Sequence, residues 1–201
     1  MLLAPDNAEA RVIALLDGAE RTIRVLQVSV GGRDQPFVRA LVRAARRGVT
    51  VELLLADAWY VRERNRAVAD TLNGLARQEG LPLRVRLATP RGRFGKIHAK
   101  GAVVDGEHVL LGSLNWNNAS ARRNREVALV LHGGGAGDYY AAVFDADWQG
   151  GRWRLPVGLP AAAALLALAA AAFGRRSIEF EDPERQGVAP VEPEAELRWG
   201  P

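Results

Sequence analysis

The stretch His98-Ala-Lys-Gly-Ala-Val-Val-Asp-Gly-Glu-His-Val-Leu-Leu-Gly-Ser-Leu-Asn115 decides how this chain is read. Two apolar runs flank Asp105-Gly106, a dipeptide that favours the left-handed backbone of a tight hairpin turn. The pattern predicts one strand over 98–104 and an antiparallel return over 108–111. Side chains alternate along a strand, so His98, Lys100 and Ala102 are expected on one face, with His98 and Lys100 side by side. The return strand brings Gly112, Ser113 and Asn115 back to the end where His98 began. A glycine there is expected to let the backbone approach an anion, and Ser113 and Asn115 to donate hydrogen bonds to it. One hairpin thus gathers a nucleophile, a cation and two neutral donors.

Composition singles out Lys100. Of 27 basic residues only Lys96 and Lys100 are lysine, the rest being arginine, and both lie within two residues of His98. A compact ammonium serves as a point charge on a phosphoryl oxygen, where a planar guanidinium needs more room. Lys96 reads as a solvated loop residue. Arg91, Arg93 and Lys96 precede His98 and could funnel an anionic substrate to it.

The constellation resembles the phospholipase D superfamily, whose signature is His-x-Lys-x4-Asp followed six residues later by Gly-Ser-x-Asn. Every signature residue stands at that spacing here, and Asn124-Arg125-Glu126 resembles the acidic element that follows it in single-motif members. The resemblance implies an α/β lobe with a central mixed sheet flanked by helices. It also implies a phosphodiesterase or phosphatidyltransferase working through a covalent phosphohistidine. One lobe's histidine attacks phosphorus, and the histidine of a second lobe protonates the leaving oxygen.

Chemistry agrees with those roles. A histidine is a competent nucleophile at neutral pH when an acidic partner fixes its tautomer and offsets its developing charge, and Glu126 is the expected partner of His98. Lys100, Ser113 and Asn115 would stabilise the anionic oxygens of the transition state. Asp105 resembles the family aspartate that supports the turn, so its expected role is structural first and catalytic second. His108 and His132 read as ordinary strand or surface residues. No metal and no cofactor are expected: there is no cysteine, no second histidine at ligand spacing, and Lys100 would repel a cation.

The remainder of residues 1–150 reads as alternating helices and strands, an α/β layered lobe. Asp6 or Asn7 is expected to cap a helix with Val12, Ile13, Leu15 and Leu16 toward a core. Strands follow over 22–30, 49–56, 83–87 and 127–131. Helices are expected over 35–47, 61–78 and 138–148, the last preceded by a flexible glycine connector at 133–135. Trp59 and Trp116 are candidates for an apolar or base-stacking lining, with burial in a core the commoner fate of tryptophan.

Residues 151–154 read as a linker, and the character then changes. Residues 155–173 form a run of 19 without a charge or a strongly polar side chain, long enough as a helix to cross about 28 Å of hydrocarbon. A C-terminal hydrophobic helix is therefore expected, as a single-pass membrane anchor or as an alanine-rich helix packed on the lobe. Arginines on both sides leave its orientation open. Residues 174–201, rich in proline and glutamate, read as a disordered acidic tail. Charge divides the same way, +7 over 1–154 and −3 over 155–201.

One signature without a repeat implies a homodimer whose two histidines meet at a twofold axis, or a missing second lobe. Three functions are weighed: a membrane-attached enzyme acting on phospholipid, a metal-independent nuclease favoured by the basic lobe, and a membrane-tethered anion-binding protein without catalysis.

Overall fold

The computed structural model describes residues 1–88 and 96–150. The chain runs through β1 (Leu2–Ala4), α1 (Ala8–Asp17), β2 (Thr22–Gln27), α2 (Pro36–Arg46), β3 (Thr50–Ala56), α3 (Arg62–Glu79) and β4 (Leu83–Ala88). It continues through β5 (Gly101–Val104), β6 (His108–Gly112), α4 (Asn118–Arg122), β7 (Glu126–His132) and α5 (Gly134–Trp148). The seven strands form one mixed sheet in the order β1-β7-β6-β5-β2-β3-β4. β2, β3 and β4 are parallel, and every other pairing is antiparallel. The expected lobe is present.

Its elements follow from local chemistry. Gln35 caps α2, its side-chain oxygen accepting from the N–H groups of Phe37 (2.7 Å) and Val38 (3.2 Å), and Pro36 sits at the first helical position, where its missing N–H costs nothing. α3 ends on Gly80 at φ 66°, a left-handed cap. Apolar residues of α1, α2 and α3, among them Val12, Leu16, Phe37, Leu41 and Leu72, share one core with Ile23, Val25, Leu53 and Leu55 of the sheet. Each such large side chain contributes roughly 1.5–3 kcal/mol by leaving water. α5 covers the opposite face, where Phe144 packs with Leu54, Ala88 and Ile97.

Several boundaries differ from the sequence pattern. His98 and Lys100 precede β5 and are not part of it, since pairing with β2 begins only at Gly101 opposite Leu26. β2 stops at Gln27, and Val30 instead makes an isolated bridge to Trp116. Asn7 does not cap α1 through its side chain but accepts from the N–H of Leu3 at 2.8 Å, tying down β1. α5 begins at Gly134, four residues early, so the glycine run is part of the helix and its start. The cause is tertiary: a Cβ on Gly137 would collide with the carbonyl oxygen of Gly106, so the helix settles on the β5–β6 turn only where it has no side chain.

Trp116 is fully buried against Phe37, with ring centroids 5.3 Å apart, and belongs to the core, not to a pocket lining. His108 and His132 face each other across β6 and β7, their Nδ1 atoms 3.0 Å apart. Among the described residues no helix is long and apolar enough to cross a membrane. The expected linker, anchor and tail, together with Arg91 and Arg93, lie outside the described residues.

Candidate active site

Strand direction decides which candidates meet. β5 runs antiparallel to β2, so His98 and Lys100 emerge at the edge where β2 ends; β6 finishes and β7 begins at that same edge, delivering Ser113, Asn115 and Glu126. Asp105 is at the other end of β5. Five residue steps along the strand separate it from Lys100, about 17 Å.

His98 is exposed, and the ammonium of Lys100 lies 3.3 Å from its Nδ1 while donating to its carbonyl oxygen at 2.8 Å. The two sit side by side as expected, although through a loop. An ammonium has only donors, so at this contact Nδ1 presents its lone pair. The nearby charge of Lys100 first, then burial, then the charge of Lys96 hold the His98 imidazolium below its ordinary range. Burial also lowers Lys100, against the attraction of Glu126.

Glu126 does not take the place expected of it beside His98. As first residue of β7 its carboxylate accepts from the Ser113 hydroxyl at 2.5 Å and from the Asn124 amide at 3.2 Å. The reason is register: Ser113 N–H bonds the Val127 carbonyl at 2.9 Å, which sets the two side chains shoulder to shoulder. Burial alone would raise this carboxyl; hydrogen bonds from Ser113, Asn124 and Ser120 and the charge of Lys100 outweigh it and bring the group below its ordinary value. Two contacting pairs result, Lys100 with His98 and Glu126 with Ser113, linked by the attraction between the Lys100 and Glu126 charges. Because Ser113 gives its one proton to Glu126 and accepts from Val127 N–H at 3.2 Å, its hydroxyl is not a spare donor.

Gly112 is required for a different reason from the one expected. A Cβ there would collide with the Val127 carbonyl and stand 2.6 Å from Ala128 Cα, so the glycine permits close approach of β7, not of an anion. Asn115 is in place, with its Oδ1 buried and without a hydrogen-bond partner.

Asp105 proves to be a lock. Its carboxylate accepts from three consecutive backbone N–H groups, Glu20 (2.9 Å), Arg21 (2.7 Å) and Thr22 (2.8 Å), and Arg21 returns a bond to its carbonyl at 2.7 Å. Burial would raise this carboxyl, but the three N–H groups and Arg21 together hold it below the usual aspartate value. Asp105 and Gly106 have φ of 54° and 74°, and Glu107 N–H closes the turn on Val104 at 3.1 Å, as the dipeptide predicts.

Gln27 was not among the candidates. It is fully buried at the end of β2 and its amide approaches the Leu114 carbonyl at 3.5 Å, supporting the backbone between Ser113 and Asn115. The signal was legible: Ile23, Val25 and Gln27 occupy the inward parity of β2, and a polar group on a core face requires a partner. Among the described residues, no group of three or more histidine, aspartate or glutamate side chains is placed to hold a metal ion.

Fold and site together define an α/β lobe with a mixed seven-stranded sheet and its candidate site residues on one sheet edge. Residues 12–148 match the family model described as cardiolipin synthase, PLD-like domain, and the chain belongs to this phospholipase D-like family. It is 30% identical over 144 residues to the mitochondrial cardiolipin hydrolase of Xenopus tropicalis, a match covering 72% of this chain. The chain spans 62% of the length of that curated relative. Among solved structures it resembles Nuc of Salmonella typhimurium, a phospholipase D family member, with TM-score 0.57 and 24% identity over 75% of this chain and 93% of that one. NucT of Helicobacter pylori is similar, with TM-score 0.59 and 19% identity over 74% and 94%. At those identities the two structures establish the fold.

Proposed function

We propose that this protein is a phosphodiesterase or phosphatidyltransferase that acts on phospholipid through a covalent phosphohistidine at His98. The observation that carries the reading is the contact between Lys100 and His98. An unprotonated ring nitrogen stands beside a cation suited to a phosphoryl oxygen, on an exposed edge. In the proposed reaction His98 attacks phosphorus, a P–N bond forms, and the P–O bond to the leaving alcohol breaks. A second His98 donates the proton that the leaving oxygen takes. Water then attacks phosphorus, giving its proton back to the second His98, the P–N bond breaks, and both histidines are regenerated; an alcohol in place of water gives transfer. Asn115 would hold an equatorial oxygen through its amide, and Glu126 would keep Lys100 charged. No metal or cofactor has a role.

The second histidine comes from another copy of the chain in the proposed homodimer, or from a second lobe of a longer protein. Val127, Leu129 and Leu131 support the former. They are 47%, 47% and 38% exposed on one face of β7, an apolar strip starting next to Glu126. The lipid preference draws on the family description, on the name of the Xenopus relative, and on the apolar run 155–173, which would anchor the lobe at a membrane. A metal-independent nuclease is the second reading, favoured by the +7 balance of residues 1–154. A binding protein without catalysis is disfavoured by the intact set of reactive groups.

The test offers the full chain phospholipid vesicles, single-stranded DNA and RNA with chelator present. Turnover of vesicle lipid is expected to survive chelation and to fall by at least about a thousandfold in His98→Asn. Cleavage of nucleic acid alone would select the second reading, and activity abolished by chelator would remove the covalent mechanism.

A further inference from the structure

Trp59 and Tyr60 follow β3 directly and are 86% and 44% exposed. A tryptophan left almost bare forgoes the burial its ring ordinarily gains. These rings nonetheless stand on a firm base. Val28, Ala56, Ala58 and Val61 form a small buried cluster beneath them, and the Ala58 carbonyl accepts from Val61 N–H (3.0 Å) and Arg62 N–H (2.8 Å). The buried Asn65 amide then ties the carbonyls of Val28 and Ala56 together at 2.8 Å each. The loop is built to hold the pair outward.

Its location is the informative part. β3 is parallel to β2 and β5 antiparallel to it, so this loop and His98 leave the sheet at the same edge, two strand spacings or about 10 Å apart. Arg64 and Lys96 are exposed there with Glu63, and Asp57 meets Arg62 at 2.5 Å, while Arg33 and Asp34 face the groove lined by Arg39, Arg43 and Arg46 of α2. The edge carries a small positive excess. The two rings meet edge to face, centroids 5.6 Å apart and planes at 81°. That geometry offers no parallel faces between which a base would slot. Each ring does combine an apolar body with one polar tip, the indole N–H and the phenol hydroxyl, a combination suited to the layer between acyl chains and water.

We propose that Trp59 and Tyr60 form an interfacial foot that seats this edge in the headgroup layer of an anionic phospholipid bilayer, presenting His98 and Lys100 to a lipid phosphodiester. The proposal rests on the phospholipid reading and adds the surface by which the substrate is reached. Both side chains are exposed, so their replacement leaves the fold intact.

The test uses the full chain and vesicles of phosphatidylcholine and phosphatidylglycerol. With brominated acyl chains, wild-type fluorescence is expected to be quenched, and the quenching to diminish in Trp59→Phe when both are measured in a Trp153→Phe background, which removes the tryptophan beside the apolar run 155–173. The double variant Trp59→Ala, Tyr60→Ala is expected to turn over vesicle lipid about tenfold more slowly or worse, the effect of losing roughly 1.4 kcal/mol of surface binding. Its turnover of soluble bis(p-nitrophenyl) phosphate should stay within about twofold of wild type, the range of a surface change away from the chemistry. Equal vesicle turnover by wild type and double variant, with the same quenching in Trp59→Phe, overturns the foot and leaves the phospholipid reading standing. A wild-type protein that ignores vesicles and cleaves oligonucleotides overturns both.

Discussion

His98, the nucleophile as proposed, is tuned by what surrounds its ring. With Lys100 as the main cause, its folded value lies below the ordinary histidine value, so the neutral ring persists to lower pH than in a free imidazole. A base depressed by folding costs stability when it must protonate; stability therefore falls as pH drops below the unfolded value of about 6.5. Replacing Lys100 with methionine should move the His98 titration upward, as followed by NMR of the ring protons, and a value that stays or falls would refute the assignment. Asp105 has the same sign of linkage, in a more acidic window. Its folded carboxyl is depressed, so its stabilisation is present above the unfolded aspartate value of about 3.9 and is lost as pH falls through the lowered folded value. Asp105→Ala strands three N–H groups in a partly exposed turn, and denaturant melts should show a loss of about 2 kcal/mol. The residue pattern of this site was legible, since every signature group except Asp105 gathers at one edge. The partner of Glu126 was not. Which neighbour a carboxylate meets depends on the pairing of Ser113 with Val127, and spacing along the chain does not contain that register.

Elements were legible where a periodic pattern was long. α2, α3, β3 and β4 appear within a residue or so of their expected bounds, because Gln35, Gly80 and alternating apolar runs mark them locally. β1 and α4 went unseen. Leu2–Ala4 is too short to show alternation and exists by pairing with β7, while Asn118–Arg122 is a single turn closed by the Asn117 cap on Ser120 N–H at 2.9 Å. The start of α5 was missed because glycine disfavours helix, and packing on the turn overrode that preference. This gives paired expectations for two glycines in one helix. Gly135 has nothing within 4 Å of a would-be Cβ, so Gly135→Ala should stabilise by up to about 1 kcal/mol. Gly137→Ala forces Cβ into the Gly106 carbonyl and should destabilise by roughly 1–3 kcal/mol. Thermal melts that rank the two variants the other way would show that α5 does not rest on the hairpin.

At the scale of the molecule, the site as proposed is half of one. If two His98 rings act together, mixing wild type with His98→Asn under conditions of subunit exchange should leave activity proportional to the square of the wild-type fraction; a linear decline would mean that each copy works alone. If the proposed homodimer forms through the exposed strip of β7, Leu129→Glu places a charge on it and should leave only monomers in sedimentation while circular dichroism stays unchanged. The sheet also sorts its duties by rim. Reactive groups occupy the side where β5 begins, and the Asp105 lock, the Arg21–Glu107 pair and the facing rings of His108 and His132 occupy the far one. That far rim is a natural handle: a fluorophore or a solid support attached at Glu107 would leave the His98 edge unobstructed, and the protein could be tethered to a sensor with that edge turned to the sample.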